Sequence, residues 1–363
     1  MNAVDGVIYL CRCAVNEQTA DKDIINGLDL NEVYKEAKRH MITSIVGIAL
    51  QNAGVVNEDF KHAVAAAQRK TIIIDHERSL VYQKLDEAGI WHMTLKGSVI
   101  KDWYPEFGMR ESADCDILFD SDYQESVRDI MTSLGFTVED YGRGHHDVYF
   151  KKPVTNMQMH ISLFGVGYEQ RFSSYYDNVK ERLVPVSGYE YTFAPNDFYV
   201  YIIAHENSHF VNRGSGLRAL MDTFIILNKL GDVLDWDYIV GEMSKLDLLE
   251  FEQANRSLAM HLFGEGPLTE GDKQLLEYVS SSGAYGSTKI AVNNHVEKYG
   301  GGLKGKFRYI FRRIFADRTV LEHNFPFFYK HKILLPFLPI YRIIVYFKSD
   351  RKRFSQEWSA LFK

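Results

Sequence analysis

Residues 90–119 read IWHMTLKGSVIKDWYPEFGMRESADCDILF, and the order of apolar, glycine and acidic residues in this stretch indicates the fold class. Residues 90–95 predict a short strand, and Gly97 and Ser98 then begin a helical pattern. Residues 113–119 alternate between apolar and polar side chains, which predicts a second strand. The order of strand, Gly-Ser turn, helix and strand is suited to a phosphate and metal site beside a sheet.

The second strand carries a pair of carboxylates. Asp114 and Asp116 are two residues apart, so both point to one face of a strand, while Ala113, Cys115 and Ile117 point to the core. A Mg²⁺ ion prefers oxygen ligands and bridges to nucleotide phosphates. Asp-x-Asp alone also occurs in solvated turns and calcium loops. The surrounding order of elements is what favours a metal-binding, catalytic pair.

The predicted helix start offers groups that can bind a phosphate. Gly97 and Ser98 would present backbone N–H groups and a hydroxyl there, where the helix dipole also favours an anion. Lys96 and Arg110 would add positive charge. We therefore predict that Lys96, Gly97, Ser98 and Arg110 bind nucleotide.

The apolar spacing changes on either side of this stretch. Residues 31–81 follow helical spacing and predict two or three helices, the last ending near Gly89. Residues 121–134 predict another helix, and residues 148–150 with 157–163 predict a hairpin. Helical patterns resume after Pro195. The predicted fold class is α+β, with a small mixed β-sheet, helices on one side of it, and helical regions flanking it.

Several short motifs together resemble a known family. They are Leu95-Lys96-Gly97, Tyr104-Pro105, Arg110, Asp114-x-Asp116-x-Leu118 and a later strand that carries His160. This set resembles the DNA polymerase β-like nucleotidyltransferase superfamily, and more closely the bacterial family of uncharacterised nucleotidyltransferases. The resemblance extends loosely to His205, His209, Arg218 and Asp222, for which we predict a role in positioning the substrate. It covers most of residues 30–230 and supplies no substrate.

The resemblance implies a two-metal site. By it, Gly97 and Ser98 would hold the triphosphate, Asp114 and Asp116 would bind Mg²⁺ or Mn²⁺, and a third carboxylate would come from the neighbouring strand. This chain departs from that pattern, because Gln158 stands where the acid is expected. We keep Gln158 as a predicted metal ligand, although an amide cannot deprotonate an attacking hydroxyl.

The missing acid leaves the general-base role open. In residues 157–163 the apolar side chains alternate onto the core face, which leaves Gln158, His160 and Ser162 on the other face. His160 is our predicted catalytic base, and Asp147 is the alternative. The gap affects turnover more than nucleotide binding.

The motif His205-Glu206-Asn207-Ser208-His209 matches the His-Glu-x-x-His pattern of zinc peptidases. A third zinc ligand is lacking nearby, because the next acids are Asp222 and Glu242 and no further His follows. The favoured interpretation is that both histidines face the core and form hydrogen bonds there, with Asp222 or Arg218 as partners.

The net charge of −6 hides an asymmetry along the chain. Residues 301–363 hold 14 Lys or Arg against 4 Asp or Glu, whereas residues 1–300 hold 28 against 44. Aromatic residues are interleaved with the cations. Three interpretations stay open for this tail: packing against the acidic body, contact with an anionic membrane surface, and contact with nucleic acid.

Composition places the chain among folded cytoplasmic proteins. Its 46% apolar residues suffice for a core. Cys11, Cys13 and Cys115 match neither a disulfide framework nor a zinc knuckle, which fits a reducing compartment. The first residues lack the basic leader of a signal peptide, and residues 333–347 fall short of a membrane span.

Two functional hypotheses follow from the sequence. The first is a nucleotidyltransferase that uses Mg²⁺ or Mn²⁺ to transfer a nucleoside monophosphate from a nucleoside triphosphate to an unknown acceptor. The second is a catalytically impaired protein that keeps the fold and binds a nucleotide or a partner. The predicted organisation has an N-terminal helical region (1–80), the nucleotidyltransferase core (81–195), a C-terminal helical region (196–300) and the basic tail (301–363).

Overall fold

The strands of the described chain form one mixed sheet. The computed structural model describes residues 1–165, 170–284, 286, 288–315, 321, 325–349 and 351–362. The strands are β1 (His92–Thr94), β2 (Cys115–Phe119), β3 (Thr137–Asp140), β4 (His146–Lys151), β5 (Thr155–His160), β6 (Leu183–Ser187) and β7 (Glu190–Phe193). Their order across the sheet is β3-β4-β5-β2-β1-β7-β6. Strands β2 and β5 are parallel, as are β1 and β7, and the other neighbours are antiparallel.

Helices surround this sheet. Those before the C-terminal tail are α1 (Ala3–Val15), α2 (Lys22–Asn26), α3 (Leu30–Arg39), α4 (Thr43–Asn52), α5 (Glu58–Glu87), α6 (Gly97–Ile100), α7 (Gln124–Ser133), α8 (Gln170–Tyr175), α9 (Pro195–Asn212), α10 (Leu217–Leu230), α11 (Trp236–Lys245), α12 (Leu249–Phe263), α13 (Glu270–Ser282) and α14 (Thr288–Lys298). The tail contains α15 (Gly302–Ile314), α16 (Pro326–Lys330), α17 (Leu338–Ser349) and α18 (Arg351–Phe362).

Helix α5 follows from its capping and its apolar spacing. Asn57 caps the first turn by accepting a hydrogen bond from the Phe60 N–H. Along its C-terminal half, Ile74, Val81 and Leu85 recur at intervals of seven and four residues, which places them on one stripe. This stripe is buried and anchors the helix on the sheet.

Apolar side chains pack on both faces of the sheet. Cys115, Ile117 and Phe119 of β2 share a core with α5 and α7. Leu118 of β2 and Met93 of β1 belong to the larger core, which includes α1, α4, α9 and α10. The prediction of helices on one side is therefore wrong, because the apolar residues of α9 and α10 need a partner surface and cover the second face.

The predicted fold class is confirmed, and so are its best-marked elements. The strands expected within 90–95 and 113–119 are present, and α5 ends as expected, with Gly89 at a φ of 69°. The strand expected over 157–163 spans Thr155–His160 instead. Strands β3, β6 and β7 were missed. The side chains of β3 and β6 are mostly exposed at the sheet edges, so no alternation marks them.

The predicted division of the chain into regions stays a prediction. Its first boundary, at residue 80, falls inside α5. Helix α5 therefore crosses this boundary, and its C-terminal half packs on the sheet.

The C-terminal helices expose many large apolar side chains. Val292, Val296, Tyr309 and Leu361 form a small core of their own. Phe307 and Ile333, by contrast, are 72% and 90% exposed. Among the described residues, we find no helix whose length and apolar character would let it cross a membrane.

Candidate active site

The two predicted carboxylates lie where β2 begins. Asp116 is on β2, and Asp114 precedes this strand by one residue. The parallel register between β2 and β5 pairs Asp116 with Gln158. The Gln158 Nε2 donates a hydrogen bond of 3.0 Å to Oδ2 of Asp114. The three residues predicted as metal ligands are thus neighbours.

Asp116 is held in its ionised form. His160 Nε2 lies 2.7 Å from its Oδ1, and Lys96 Nζ lies 3.3 Å from the same oxygen. Burial acts to raise the pKa of Asp116, but Lys96 and the His160 hydrogen bond outweigh it and hold the pKa well below its usual range. Asp116 is therefore an acceptor at neutral pH.

The pKa of Asp114 is shifted in the opposite direction. Burial, and then the charge of Asp116, raise the pKa of Asp114, while Lys96, Arg218 and Lys70 act to lower it. A divalent ion on both carboxylates would offset their mutual repulsion. Two carboxylates and an amide are hard oxygen donors, so the donor set fits Mg²⁺ or Mn²⁺.

The cations around the pair come from distant parts of the chain. Lys70 on α5 donates a 2.9 Å hydrogen bond to the carbonyl of Ala113, and no sequence pattern indicated this contact.

Lys96 has a φ of 53°, a left-handed conformation that costs a non-glycine residue about 1–3 kcal/mol. Such strain is concentrated at functional sites.

Arg110 is engaged by another carboxylate. Its Nε and Nη2 donate hydrogen bonds of 2.7 and 2.8 Å to the two oxygens of Asp222, and the Tyr104 hydroxyl donates a third of 2.8 Å. A Cβ on Gly97 would lie only 2.1 Å from Nη1 of Arg110. Gly97 therefore allows this guanidinium to pass beneath α6, and a contact of Arg110 with a phosphate stays a prediction.

Ser98 lies in the four-residue helix α6. It is 6% exposed, and its carbonyl accepts a 3.3 Å hydrogen bond from Arg78. Burial raises the pKa of Cys115 to about 12, with Arg78 and a hydrogen bond to Ser98 acting against this rise. The predicted phosphate contact of Ser98 stays a prediction.

Three histidines form a cluster beside Asp116. His146 begins β4 and His145 precedes it, and the antiparallel register pairs His146 with His160 on β5. One ring nitrogen of each histidine lies within 4.8 Å of the others. Of these three histidines, only His160 was predicted from the sequence to be a site residue. The predicted hairpin could have revealed the cluster, because a register that pairs residue 151 with 155 also pairs residue 146 with 160.

Asp147 does not reach the site. In the register it pairs with Met159, whose side chain is in the core below the sheet. Its carboxylate accepts hydrogen bonds from Gln124 Nε2 and from the Gly142 N–H, at 2.9 and 2.7 Å. The alternative general base is therefore wrong, because neighbouring residues on a strand point to opposite faces.

Helix α9 presents two faces of different chemistry. His205 and His209 have their Nε2 atoms 3.1 Å apart and both line the cavity described below. Glu206 points into the core, where it accepts hydrogen bonds from Thr223 and Asn255. Burial raises the pKa of Glu206 to about 8. A peptidase would need this carboxylate ionised beside the histidines, so the geometry contradicts the peptidase interpretation.

Asp222 and Arg218 make contacts other than the expected ones to the two histidines. Asp222 binds Arg110 and Tyr104 and not the two histidines. Arg218 donates to the Glu111 carbonyl at 3.4 Å and acts on the charge of Asp114. The expected hydrogen bonds of His205 and His209 to these residues are absent among the described contacts. A substrate-positioning role for the four residues stays a prediction.

A cavity of about 610 Å³ opens on this cluster. From the core, its lining includes Lys96, His145, His146, Gln158, His160, His205 and His209. From the C-terminal helices, it includes His295, Tyr299, Tyr309, Arg312, Arg342 and Glu357. The tail is therefore part of the wall of the candidate site, a position that its sequence did not indicate.

The comparisons with known proteins bear on the same part of the chain. A family model described as "Uncharacterised nucleotidyltransferase" matches residues 26–264. This range runs from the end of α2 to the residue after α12 and contains the whole sheet. Searches of curated proteins and of solved structures gave no match.

Proposed function

The chain belongs to the uncharacterised nucleotidyltransferase family, and from this premise we propose that it transfers a nucleoside monophosphate from a nucleoside triphosphate to an acceptor. Asp114 and Asp116 would hold Mg²⁺ or Mn²⁺, with the Gln158 amide as a further ligand. The single observation that carries the proposal is the placement of Asp114 and Asp116 together at the start of β2, with Gln158 beside them. An added cation would relieve the repulsion between the two carboxylates. The bound ion would neutralise phosphate charge.

The residues around the ion have separable roles in this proposal. Lys96 lies 3.3 Å from Asp116 and lines the cavity, so it can contact a phosphate that enters there. Gly97 and Ser98 would present their N–H groups to the triphosphate. His160 orients Asp116 through its Nε2. Burial lowers the pKa of His160 to about 4, so the imidazole is neutral and can accept a proton, although it is a weak base.

A test of transfer can separate it from hydrolysis. The protein is incubated with Mg²⁺, each of the four nucleoside triphosphates and fractions of a small-molecule extract, with label on either the α- or the γ-phosphate. Transfer moves the α-label to a new product and releases labelled pyrophosphate. We expect Asp114→Asn to lower the rate by about 10³-fold or more. Release of inorganic phosphate alone, or equal rates in both proteins, would contradict the proposal.

The second candidate function is a binding protein without turnover, and Gln158 favours it. Gln158→Glu restores the acid beside Asp114, so it is expected to tighten Mg²⁺ binding. If the variant also gains transfer activity, the native site is a degraded one and the binding function is favoured. If activity is unchanged while Mg²⁺ affinity rises, the native site does not need an acid there.

The composition of the tail, residues 301–363, favours contact with a lipid surface. Residues 301–363 carry the positive charge noted above, and their helices expose Ile340, Ile343, Ile344 and Val345, each at least 40% accessible. Aliphatic side chains do not stack on bases, so this combination favours an anionic lipid surface over nucleic acid.

Vesicle flotation tests this contact. We expect binding to vesicles that contain anionic lipid, little binding to neutral ones, and a loss of binding in the Ile343→Glu, Ile344→Glu variant. Val240→Glu on α11 is the matched control, since Val240 is 42% exposed outside the tail. Binding to single-stranded nucleic acid but not to vesicles would overturn the lipid assignment.

A further inference from the structure

The histidine cluster has the chemistry of a metal site distinct from the carboxylate pair. His145, His146 and His160 come together through the hairpin of β4 and β5. The N–H groups of Ile161 and Ser162 donate to the carbonyl of His145, at 2.9 and 3.3 Å, which holds its backbone against the end of β5. Three imidazoles are thus fixed by sheet geometry.

The ring of His160 is arranged as a metal ligand. Asp116 is ionised and can only accept, so the hydrogen in their 2.7 Å contact belongs to Nε2 of His160. Its Nδ1 then carries a lone pair. This atom is buried and has no hydrogen-bond partner among the described residues. Metal-binding histidines characteristically donate their other ring N–H to a carboxylate, as His160 does to Asp116.

The spacing of the other two rings also fits. His146 Nδ1 and His145 Nε2 lie 3.2 Å apart. Two nitrogens on a tetrahedral zinc ion, each at about 2.0–2.1 Å, are separated by roughly 3.3 Å. The present hydrogen bond between the two rings would be replaced by two bonds to the ion.

Burial keeps these imidazoles unprotonated, as a metal ligand must be. Burial lowers the pKa of His145 to about 3 and that of His160 to about 4, and the charge of Lys96 lowers both further. Burial also lowers the pKa of His146. Neutral imidazoles suit zinc and related transition metals, whereas Mg²⁺ prefers oxygen.

We propose that His145, His146 and His160 bind one divalent transition-metal ion of the zinc type. All three residues line the 610 Å³ cavity, so a fourth coordination position can remain open to it. Asp116 contacts this site through His160 and contributes directly to the carboxylate pair. The proposal concerns a second ion of different chemistry and does not depend on nucleotide transfer, but an ion on Nδ1 of His160 would exclude this ring as the general base.

Cobalt(II) is the probe, because its tetrahedral complexes with nitrogen absorb strongly in visible light and its octahedral oxygen complexes absorb weakly. The full-length protein is freed of metal with a chelator and titrated with Co²⁺ in excess Mg²⁺, which occupies oxygen sites. We expect strong tetrahedral bands that saturate at one ion per chain and are displaced by Zn²⁺. Weak octahedral bands only, or no saturation, would overturn the proposal.

Variants locate the ion. His146→Gln is expected to abolish the bands, and Asp116→Asn to weaken Co²⁺ binding by about 10- to 100-fold. His209→Gln is the matched control, because it removes another histidine of the same cavity. His145→Gln replaces His146→Gln if that variant does not fold. Bands that survive either cluster variant, or disappear in His209→Gln, would contradict the assignment.

Discussion

Asp222 and Asp116 are both buried beside a cation, yet their surroundings are complete to different degrees. Both oxygens of Asp222 accept a hydrogen bond from Arg110, and one of them also accepts a hydrogen bond from the Tyr104 hydroxyl. In Asp116, the contacts of Lys96 and His160 fall on one oxygen, Oδ1. The closed network ties the segment between α6 and β2 to α10, whereas the open one retains capacity for a ligand.

The neighbours of the two acids differ in the same way. Asp114 repels Asp116, and His160 has a buried Nδ1 without a partner among the described residues. Buried polar groups that are left unsatisfied destabilise a fold, so their persistence calls for an explanation. Charge and burial alone therefore do not mark an active site. What distinguishes this one is that the unsatisfied nitrogen of His160 lies on a ring bonded to Asp116, beside a second carboxylate that repels it.

The largest effect is expected when the closed network is broken. Asp222→Asn leaves Arg110 buried without a counter-charge and should lower the free energy of unfolding by about 3–5 kcal/mol. Asp114→Asn should leave it unchanged or raise it, because burial and Asp116 already disfavour the charged form of Asp114. Urea unfolding at pH 7 measures both. Equal losses in the two variants would erase the distinction between the networks.

Glu206 is a third kind of buried acid, because its hydrogen-bond partners, Thr223 and Asn255, are neutral. Its folded pKa of about 8 lies above its usual value, so its contribution to stability is fully present below about pH 4.5 and is lost as the pH rises through 8. Glu206→Gln mimics the protonated acid. It should raise the free energy of unfolding by about 4 kcal/mol more at pH 9 than at pH 5. A difference independent of pH would show that Glu206 is not the titrating group.

The smallest effect concerns the packing beneath α6. Gly97→Ala places a methyl group 2.1 Å from the Arg110 guanidinium, which Asp222 holds in place. We expect a loss of about 1–3 kcal/mol in unfolding free energy. Gly241→Ala on α11 is the control, because a Cβ there meets nothing within 4 Å, and it should stabilise by up to about 1 kcal/mol. Similar effects of the two variants would show that Arg110 can move aside.

The sequence predicted those parts of the site that depend on local periodicity. Asp114 and Asp116 lie at β2 as expected, and Gln158 and His160 lie on the adjacent strand, because alternation decides which face a side chain occupies. Strand identity within residues 113–119 followed from the same rule. The edge strands, which lack a buried face, could not be found in this way.

The rest depends on contacts between distant residues. The partner of Arg110 is Asp222, 112 residues away, and no local pattern indicates that this cation is already neutralised. Lys70 reaches Ala113 from a helix that looked like a flanking element. The tail lines the cavity through Arg312 and Arg342, although its charge pattern fits a solvated surface equally well.

Calorimetric titration with ATP, GTP, CTP and UTP in the presence of Mg²⁺ shows whether Asp114 and Asp116 bind a nucleotide through the metal ion. The proteins are the native chain, the double variant Asp114→Asn, Asp116→Asn, and Gly241→Ala as a control distant in sequence. We expect at least one triphosphate to bind the native chain and the control only when Mg²⁺ is present, with an affinity about 100-fold or more lower in the double variant. Failure of every triphosphate to bind, or equal binding by the double variant, would contradict the account.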